Sequence, residues 1–503
     1  MRHQWVNVTA SLAFLVCALV ARAGDPPVPP ELAGLRERWE SAMASLDVPG
    51  LAVIVVKDDK VIYTETIGVR DPATNSPVTP DTMFYIASCT KSYLAMAIMT
   101  LVDEGKVYLD NPVRTYLPRF QTAEPTITET LSVRDLLCHG KGLSSGPIVS
   151  LDAYTGEITE DRFYHWLKEA KAKGEFEYTN LHFTIAGRIV EAVSGKSWKD
   201  FLDEKVFKPS GMTRTTAFAS RMYADANCAF PSDLFNGKLA ATRVRKTDRT
   251  MHAAGGLGAS IQDLGRWLRL NLNRGSLDGK TVVTRESADE MRKIHAKLSS
   301  PMSRGLRTRE GHGLGWNIGP YDKVTMLEHG GGYTGASALV AFIPEKGIGI
   351  AALANANRPI TEIVIFDVCN RLLGIQTEDD LPKLKAAAEQ RRRRQASRQK
   401  NTAAAPVNAK ALTLPLQAYP GTYENADWGT FHIEVDGDQL AGRWGDLMFQ
   451  LRSVGKDAFL GDSGAGDPDK GRFEVEGGKV EAVVIGVDEE AKLEARFARK
   501  RAD

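Results

Sequence analysis

Phe84-Tyr-Ile-Ala-Ser-Cys-Thr-Lys91 runs without a break into Ser92-Tyr-Leu-Ala-Met-Ala-Ile-Met-Thr-Leu-Val102, and this stretch decides the fold. Its second half is apolar on nearly every face of a helix, which puts that helix at the heart of a domain. Gly105 ends it. Ser88 then falls at the helix N-terminus, where unpaired N–H groups and the positive dipole end favour developing negative charge. Lys91, three residues on, stacks on the same face. A lysine just inside so apolar a helix is costly to bury as the ammonium, so its pKa should fall. A weak hydroxyl nucleophile requires such an adjacent basic amine. Taken alone, the pair also reads as a capping serine and a snorkelling lysine.

Outward from this helix the pattern alternates. Leu35 to Leu46 reads as a helix. Leu51-Ala-Val-Ile-Val-Val56 and Val61 to Val69 flank the turn Lys57-Asp58-Asp59-Lys60 and form a hairpin. Ala336 to Ile343 and Gly347 to Ala354, joined by Pro344-Glu345-Lys346, form a second. Helical patterns lie between, at Val133 to Leu137, Leu181 to Ser194 and Ile261 to Leu270, and Ile360 to Leu373 follows. Strands at both ends of a long helical insert imply an α/β fold of the α+β type. It is an antiparallel sheet built from distant segments, flanked by helices, with a helical subdomain.

After Gly374 the composition changes. Residues 376–411 form a basic, Ala-rich linker or helix containing Arg391-Arg392-Arg393-Arg394. Residues 412–503 alternate apolar with polar, and Asp436-Gly437-Asp438 and Gly477-Gly478 mark tight turns. That is a small C-terminal all-β domain, barrel or sandwich. At the other end, Arg2 and His3 precede the apolar run Leu12 to Val20, and Ala21-Arg22-Ala23 has the spacing of a cleavage site. Residues 1–23 therefore read as a signal peptide, 24–375 as the main domain, and the mature chain as periplasmic or extracellular. Val16 argues against Cys17 as a lipoprotein site.

The chain of 503 residues carries 64 Lys plus Arg against 63 Asp plus Glu, a balance that excludes a nucleic-acid partner as the default. Removal of the leader leaves Cys89, Cys138, Cys228 and Cys369, far apart and without C-x-x-C. They read as buried small apolar side chains, with three full disulfide pairings open, and not as a zinc site. No metal and no cofactor is implied.

Two further clusters carry chemistry. Phe176-Glu-Tyr-Thr-Asn-Leu181 places Tyr178 and Asn180 two apart on a short extended loop, so phenol and amide project the same way. A tyrosine beside a lysine ammonium has its phenolate stabilised and can act as acid or base. Leu327-Glu-His-Gly-Gly-Gly-Tyr-Thr-Gly335 precedes the second hairpin, and its glycines allow close approach of a substrate backbone. A backbone N–H there, with that of Ser88, could form an oxyanion hole. Each cluster alone also reads as a turn with a cap or a surface histidine.

Together, Ser88-x-x-Lys91, Tyr178-x-Asn180 and His329-Gly330-Gly331 resemble the three motifs of the penicillin-recognising serine hydrolases, nearest to class C β-lactamases, D,D-peptidases and related esterases. Gly105 to Pro112, Leu136 to Leu143, Ala254 to Gly258 and Gly313 to Trp316 support the resemblance, which covers about residues 35 to 375. It implies a β-lactamase-like fold with Ser88 as nucleophile and Lys91 and Tyr178 sharing base and acid work. Asn180, His329, Gly330 and Gly331 would line the substrate site, and the N–H groups of Ser88 and Gly332 the oxyanion hole. The substrate would be an ester, amide, β-lactam or D-amino-acid peptide, so the partner is a small molecule or peptide. A catalytically weak penicillin-binding sensor or scaffold protein is the rival reading. The chain departs from the pattern at His329, where many relatives carry lysine: a permanent cation gives way to an imidazole mostly neutral at pH 7. Cell-envelope association and oligomeric state are left open by the sequence.

Two other motifs fail their context. Gly142-Leu-Ser-Ser-Gly146 matches the lipase nucleophile elbow but lacks the strand before and the helix after. Gly330-x-Gly332-x-x-Gly335 matches a dinucleotide fingerprint but leads into a strand.

Overall fold

The computed structural model describes residues 28–144, 146–235, 237–403, 412–464, 468–488 and 493–500. The leader reading at 1–23 lies outside these residues. An antiparallel nine-stranded sheet is the backbone of the main unit. Its order is Ala296–Arg304, Arg307–His312, Asn317–Tyr321, Val324–Tyr333, Ala336–Ile343, Ile348–Ala354, Gly50–Lys57, Lys60–Asp71 and Ser76–Pro77. The N-terminal hairpin thus joins the late strands, Leu51 pairing with Ala354 and Lys57 with Ile348.

Alternation along Gly50–Lys57 explains why this strand is buried throughout. Val53 and Val55 face helices Leu35–Leu46 and Ile360–Leu373 in one core, together with Trp39, Val364 and Val368. Ala52, Ile54 and Val56 face the opposite core with helices Thr90–Asp103 and Ile261–Leu272. A strand covered on both faces loses its polar alternation. Of the Thr90–Asp103 helix, every residue from Thr90 to Leu101 is buried, as its all-round apolar sequence requires.

The C-terminal unit is a closed eight-stranded barrel from Gly421–Asn425 to Leu493–Arg499, the first strand pairing with the last through Tyr423 and Arg499. Phe431, Trp444, Phe449, Phe459, Phe473 and Phe497 fill it, so the interior is mostly core. It docks on the helical subdomain. Trp166 packs on Trp428 with the rings tilted and their centres 4.4 Å apart, and donates Nε1–H to Asp427 O at 3.0 Å. The Asp446 N–H donates to Thr155 O at 2.8 Å. Asp446 Oδ2 accepts from Thr247 Oγ1 at 2.5 Å. Between the two units, helix Leu381–Ala403 lies against the first helix, Arg391 and Arg392 both pairing with Asp47.

Candidate active site

The Ser88 turn is built before the helix begins. Ala87–Cys89 is a 3₁₀ turn, and Ala87 holds φ +45°, a conformation that carries strain for a residue with a Cβ. The turn is tied down from behind. Thr90 Oγ1 donates to Ala87 O at 2.7 Å and accepts from Leu257 N at 3.1 Å, and Ile86 N donates to Leu257 O at 2.9 Å.

Lys91 is fully buried, and its Nζ lies 3.1 Å from Ser88 Oγ, 2.7 Å from Asn180 Oδ1 and 2.8 Å from Ala254 O. Burial pulls its pKa down to about 7. A neutral amine has two N–H bonds and one lone pair. The amide oxygen and the carbonyl can only accept, so they take both hydrogens and leave the lone pair facing the Ser88 hydroxyl. That is the geometry of a general base.

Asn180 reaches this position by a different route from the extended loop read in the sequence. It is the first residue of helix Asn180–Ser194, and Thr179 caps the helix by accepting from Leu181 N at 3.2 Å. With the cap supplied by its neighbour, the Asn180 amide is free to serve Lys91. Tyr178 stands beside the lysine. Its ring is 42% exposed and forms the rim of the site, with Lys91 Nζ 4.9 Å from its centroid. Desolvation drives its phenol pKa above the ordinary value, outweighing the opposite pull of Ser88. A phenol so shifted keeps its proton at neutral pH and has it to give as an acid.

His329 lies on strand Val324–Tyr333, buried rather than on the surface. Its Nδ1 is 2.8 Å from Gly330 O. Burial, with Lys91 and His312 nearby, holds it well below the ordinary histidine pKa, so the imidazole is uncharged. His139, His182, His312 and His329 form a buried group behind Tyr178. His139 stands 4.5 Å from the Tyr178 ring and 4.9 Å from the His312 ring. All four are held below the usual value by burial. Among the described residues no such group is arranged to hold a metal ion.

Pairing on one side of strand Val324–Tyr333 stops at Glu328, whereas on the other it continues to Tyr333. From His329 onward one backbone edge is therefore open, able to pair with an extended substrate. Of the three glycines only Gly331 is required by space. A Cβ there would lie 2.0 Å from Ile86 O and 3.1 Å from Ser88 N, whereas at Gly332 the nearest atom is Asn357 Oδ1 at 3.6 Å. The close approach is to the nucleophile's own turn.

The cleft beyond, about 570 Å³, is lined by Tyr178, His329, Gly330 to Gly332, Arg309 and Arg358 among others. Its cationic groups are arginines no motif flagged, and each is paired: Arg309 through Nε to Glu328 at 2.5 Å and Arg358 to Asp233, while Glu362 adds a carboxylate to the lining. The carbonyl that Lys91 bonds belongs to the Ala254-Gly-Gly turn, and that stretch carried the signal in the sequence.

A family model described as Beta-lactamase matches residues 35–364. The chain is 27% identical over 357 residues to Penicillin-binding protein 4 of Amycolatopsis lactamdurans, covering 67% of this chain and 88% of that protein. It is 25% identical over 417 residues to the unguisins hydrolase ungD' of Aspergillus campestris, covering 77% of this chain and 73% of that one. The octameric penicillin-binding protein homologue from Pyrococcus abyssi shares the fold with TM-score 0.60 at 24% identity, over 92% of this chain and 99% of that chain.

Proposed function

This chain belongs to the Beta-lactamase family of serine hydrolases, and on that premise we propose that it hydrolyses an ester or amide, including D-amino-acid peptides and β-lactams, through an acyl-enzyme on Ser88. The observation that carries the reading is Lys91 Nζ, 3.1 Å from Ser88 Oγ and within 2.8 Å of two acceptors, Asn180 Oδ1 and Ala254 O, that can take both hydrogens of a neutral amine. In acylation Lys91 takes the Ser88 proton as Oγ attacks the carbonyl carbon. The N–H groups of Ser88 and Gly332 receive the oxyanion. Tyr178 protonates the leaving group and recovers a proton from Lys91. The open edge at Gly330 to Tyr333 holds the acyl chain extended. Within the same proposal, residues 1–23 direct export and are removed. Intact-mass analysis after incubation with penicillin, a simple ester and a D-alanyl peptide tests the function. A mass increment on wild type that is absent from Ser88→Ala is expected. A permanent adduct without turnover would favour the sensor reading instead.

A further inference from the structure

The barrel meets the helical subdomain with one end, through the turn at Gly445-Asp446 and the backbone at Ala426 and Asp427. Neighbouring strands are antiparallel, so the turns at Gly437-Asp438, Lys456-Asp457 and Gly477-Gly478 lie at the other end, facing away from the hydrolase unit. That end holds a cavity of about 240 Å³. Leu440, Leu451, Phe459 and Phe473, whose side chains belong to the barrel core, line it from within, the two phenyl rings centred 4.9 Å apart.

Its cover is a strap that precedes the first barrel strand. Leu412, Leu414 and Leu416 line the cavity and are half-buried, while Thr413 and Pro415 between them are exposed, so the strap turns one apolar side to the barrel. Asp457 latches it, accepting from Thr413 N at 2.9 Å, from Thr413 Oγ1 at 2.6 Å and from the Tyr419 hydroxyl at 2.5 Å. The same hydroxyl accepts from Leu414 N at 3.2 Å. Protein interiors are close-packed, and a space of this size forfeits dispersion contacts on every side of it. An apolar lining under a tethered cover suits a guest that restores those contacts.

Size and charge define that guest. An apolar cavity of about 150 Å³ takes one benzene ring, so this one has room for a ring carrying a short alkyl chain. The polar side chains in the lining are Asp438, Gln439 and Ser453, at the hairpin ends. The Asp438 carboxylate opposes an anion, whereas Gln439 and Ser453 can hydrogen-bond a hydroxyl or carbonyl at the mouth. We propose that this end of the barrel binds a small uncharged apolar molecule, one ring with a short alkyl chain and one hydroxyl or carbonyl, beneath the strap at 412–416. The site is distinct from the Ser88 cleft, and binding there needs no acyl-enzyme.

The test titrates 4-butylphenol into the full chain, followed by calorimetry and by methyl NMR. One equivalent is expected to bind and to shift the methyl signals of Leu412, Leu414, Leu416, Leu440 and Leu451. 4-Butylbenzoate keeps the ring and chain but carries a carboxylate, and should bind at least about tenfold more weakly, a gap that Asp438→Asn should narrow. Leu414→Trp, which fills the cavity from the strap, should weaken binding of the phenol about tenfold or more while ester hydrolysis stays at the wild-type rate. No saturable binding to wild type, or methyl shifts confined to residues away from this end, overturns the site, and that map decides the matter even where Leu414→Trp does not fold. Undiminished binding by a folded Leu414→Trp chain overturns it as well, and equal affinity for the benzoate overturns the uncharged class of guest.

Discussion

Two lysines of this protein share a chemical state but not a setting. Lys91 and Lys246 are both buried, and burial pulls each to a pKa of about 7. Lys246 Nζ donates to Ala153 O at 2.5 Å and otherwise faces rings, those of Tyr333 at 4.2 Å, Tyr154 at 5.4 Å and Tyr85 at 5.8 Å. Lys91 faces a hydroxyl, an amide and a carbonyl. A depressed pKa marks a desolvated amine; only the acceptor set and a hydroxyl within reach make it a base.

Substitution by methionine, which keeps length and removes the charge, should separate the two most sharply. Lys91→Met is expected to lower kcat/KM on an activated ester by about 10³-fold, within the range for losing a positioned base. Lys246→Met should leave it within about threefold of wild type. Equal losses in the two would end the distinction drawn between them. The same contrast has a pH signature. Lys91 works as the neutral amine, so kcat/KM should fall about tenfold per pH unit below about 7, and that limb should persist in Lys246→Met.

Next in size is the acid arm. Tyr178→Phe keeps the ring against His139 and Lys91 but loses the hydroxyl at Ser88, and about a 10²-fold fall in acylation is expected by stopped-flow assay.

Stability should distinguish the lysines in the other direction. A lysine at about 7 folded and 10.5 unfolded binds fewer protons in the native state across that window. Stability therefore rises with pH between the two values, and the cost of neutralising the amine is full below about 7. Lys246→Met removes that cost while losing one hydrogen bond. Denaturant unfolding should find it more stable than wild type by about 2 kcal/mol at pH 7, with the gap shrinking toward pH 10. A variant less stable at pH 7 than at pH 10, relative to wild type, would contradict the buried neutral amine.

The glycines of the strand should split, and Gly332 carries the smallest expected effect. Gly332→Ala meets only Asn357 Oδ1 at 3.6 Å and should change activity less than about threefold, whereas Gly331→Ala must push the strand off Ile86 and should abolish turnover. Steady-state kinetics on the pair would show whether the strand's close approach to the nucleophile turn is what the glycines serve.

What could be read from the sequence were contacts set by local geometry. Ser88 and Lys91 meet because a helical turn brings residues three apart together, and the first hairpin is legible because a four-residue polar turn leaves its strands one way to pair. The two-residue turns at Gly437-Asp438 and Gly477-Gly478 appear as read, with Asp436 paired to Gln439 and Glu476 to Lys479. The tertiary structure decided the rest. It closed the C-terminal strands into a barrel, because the alternation of a strand does not say which strand lies beside it. It gave the cap to Thr179 and the Asn180 amide to Lys91, because both residues suit a helix start and only packing chose between them. It brought Arg309 into the cleft from a stretch with no motif. Burial of each ionisable group is a property of neighbours far along the chain, and with it came the neutral states of Lys91 and the histidines.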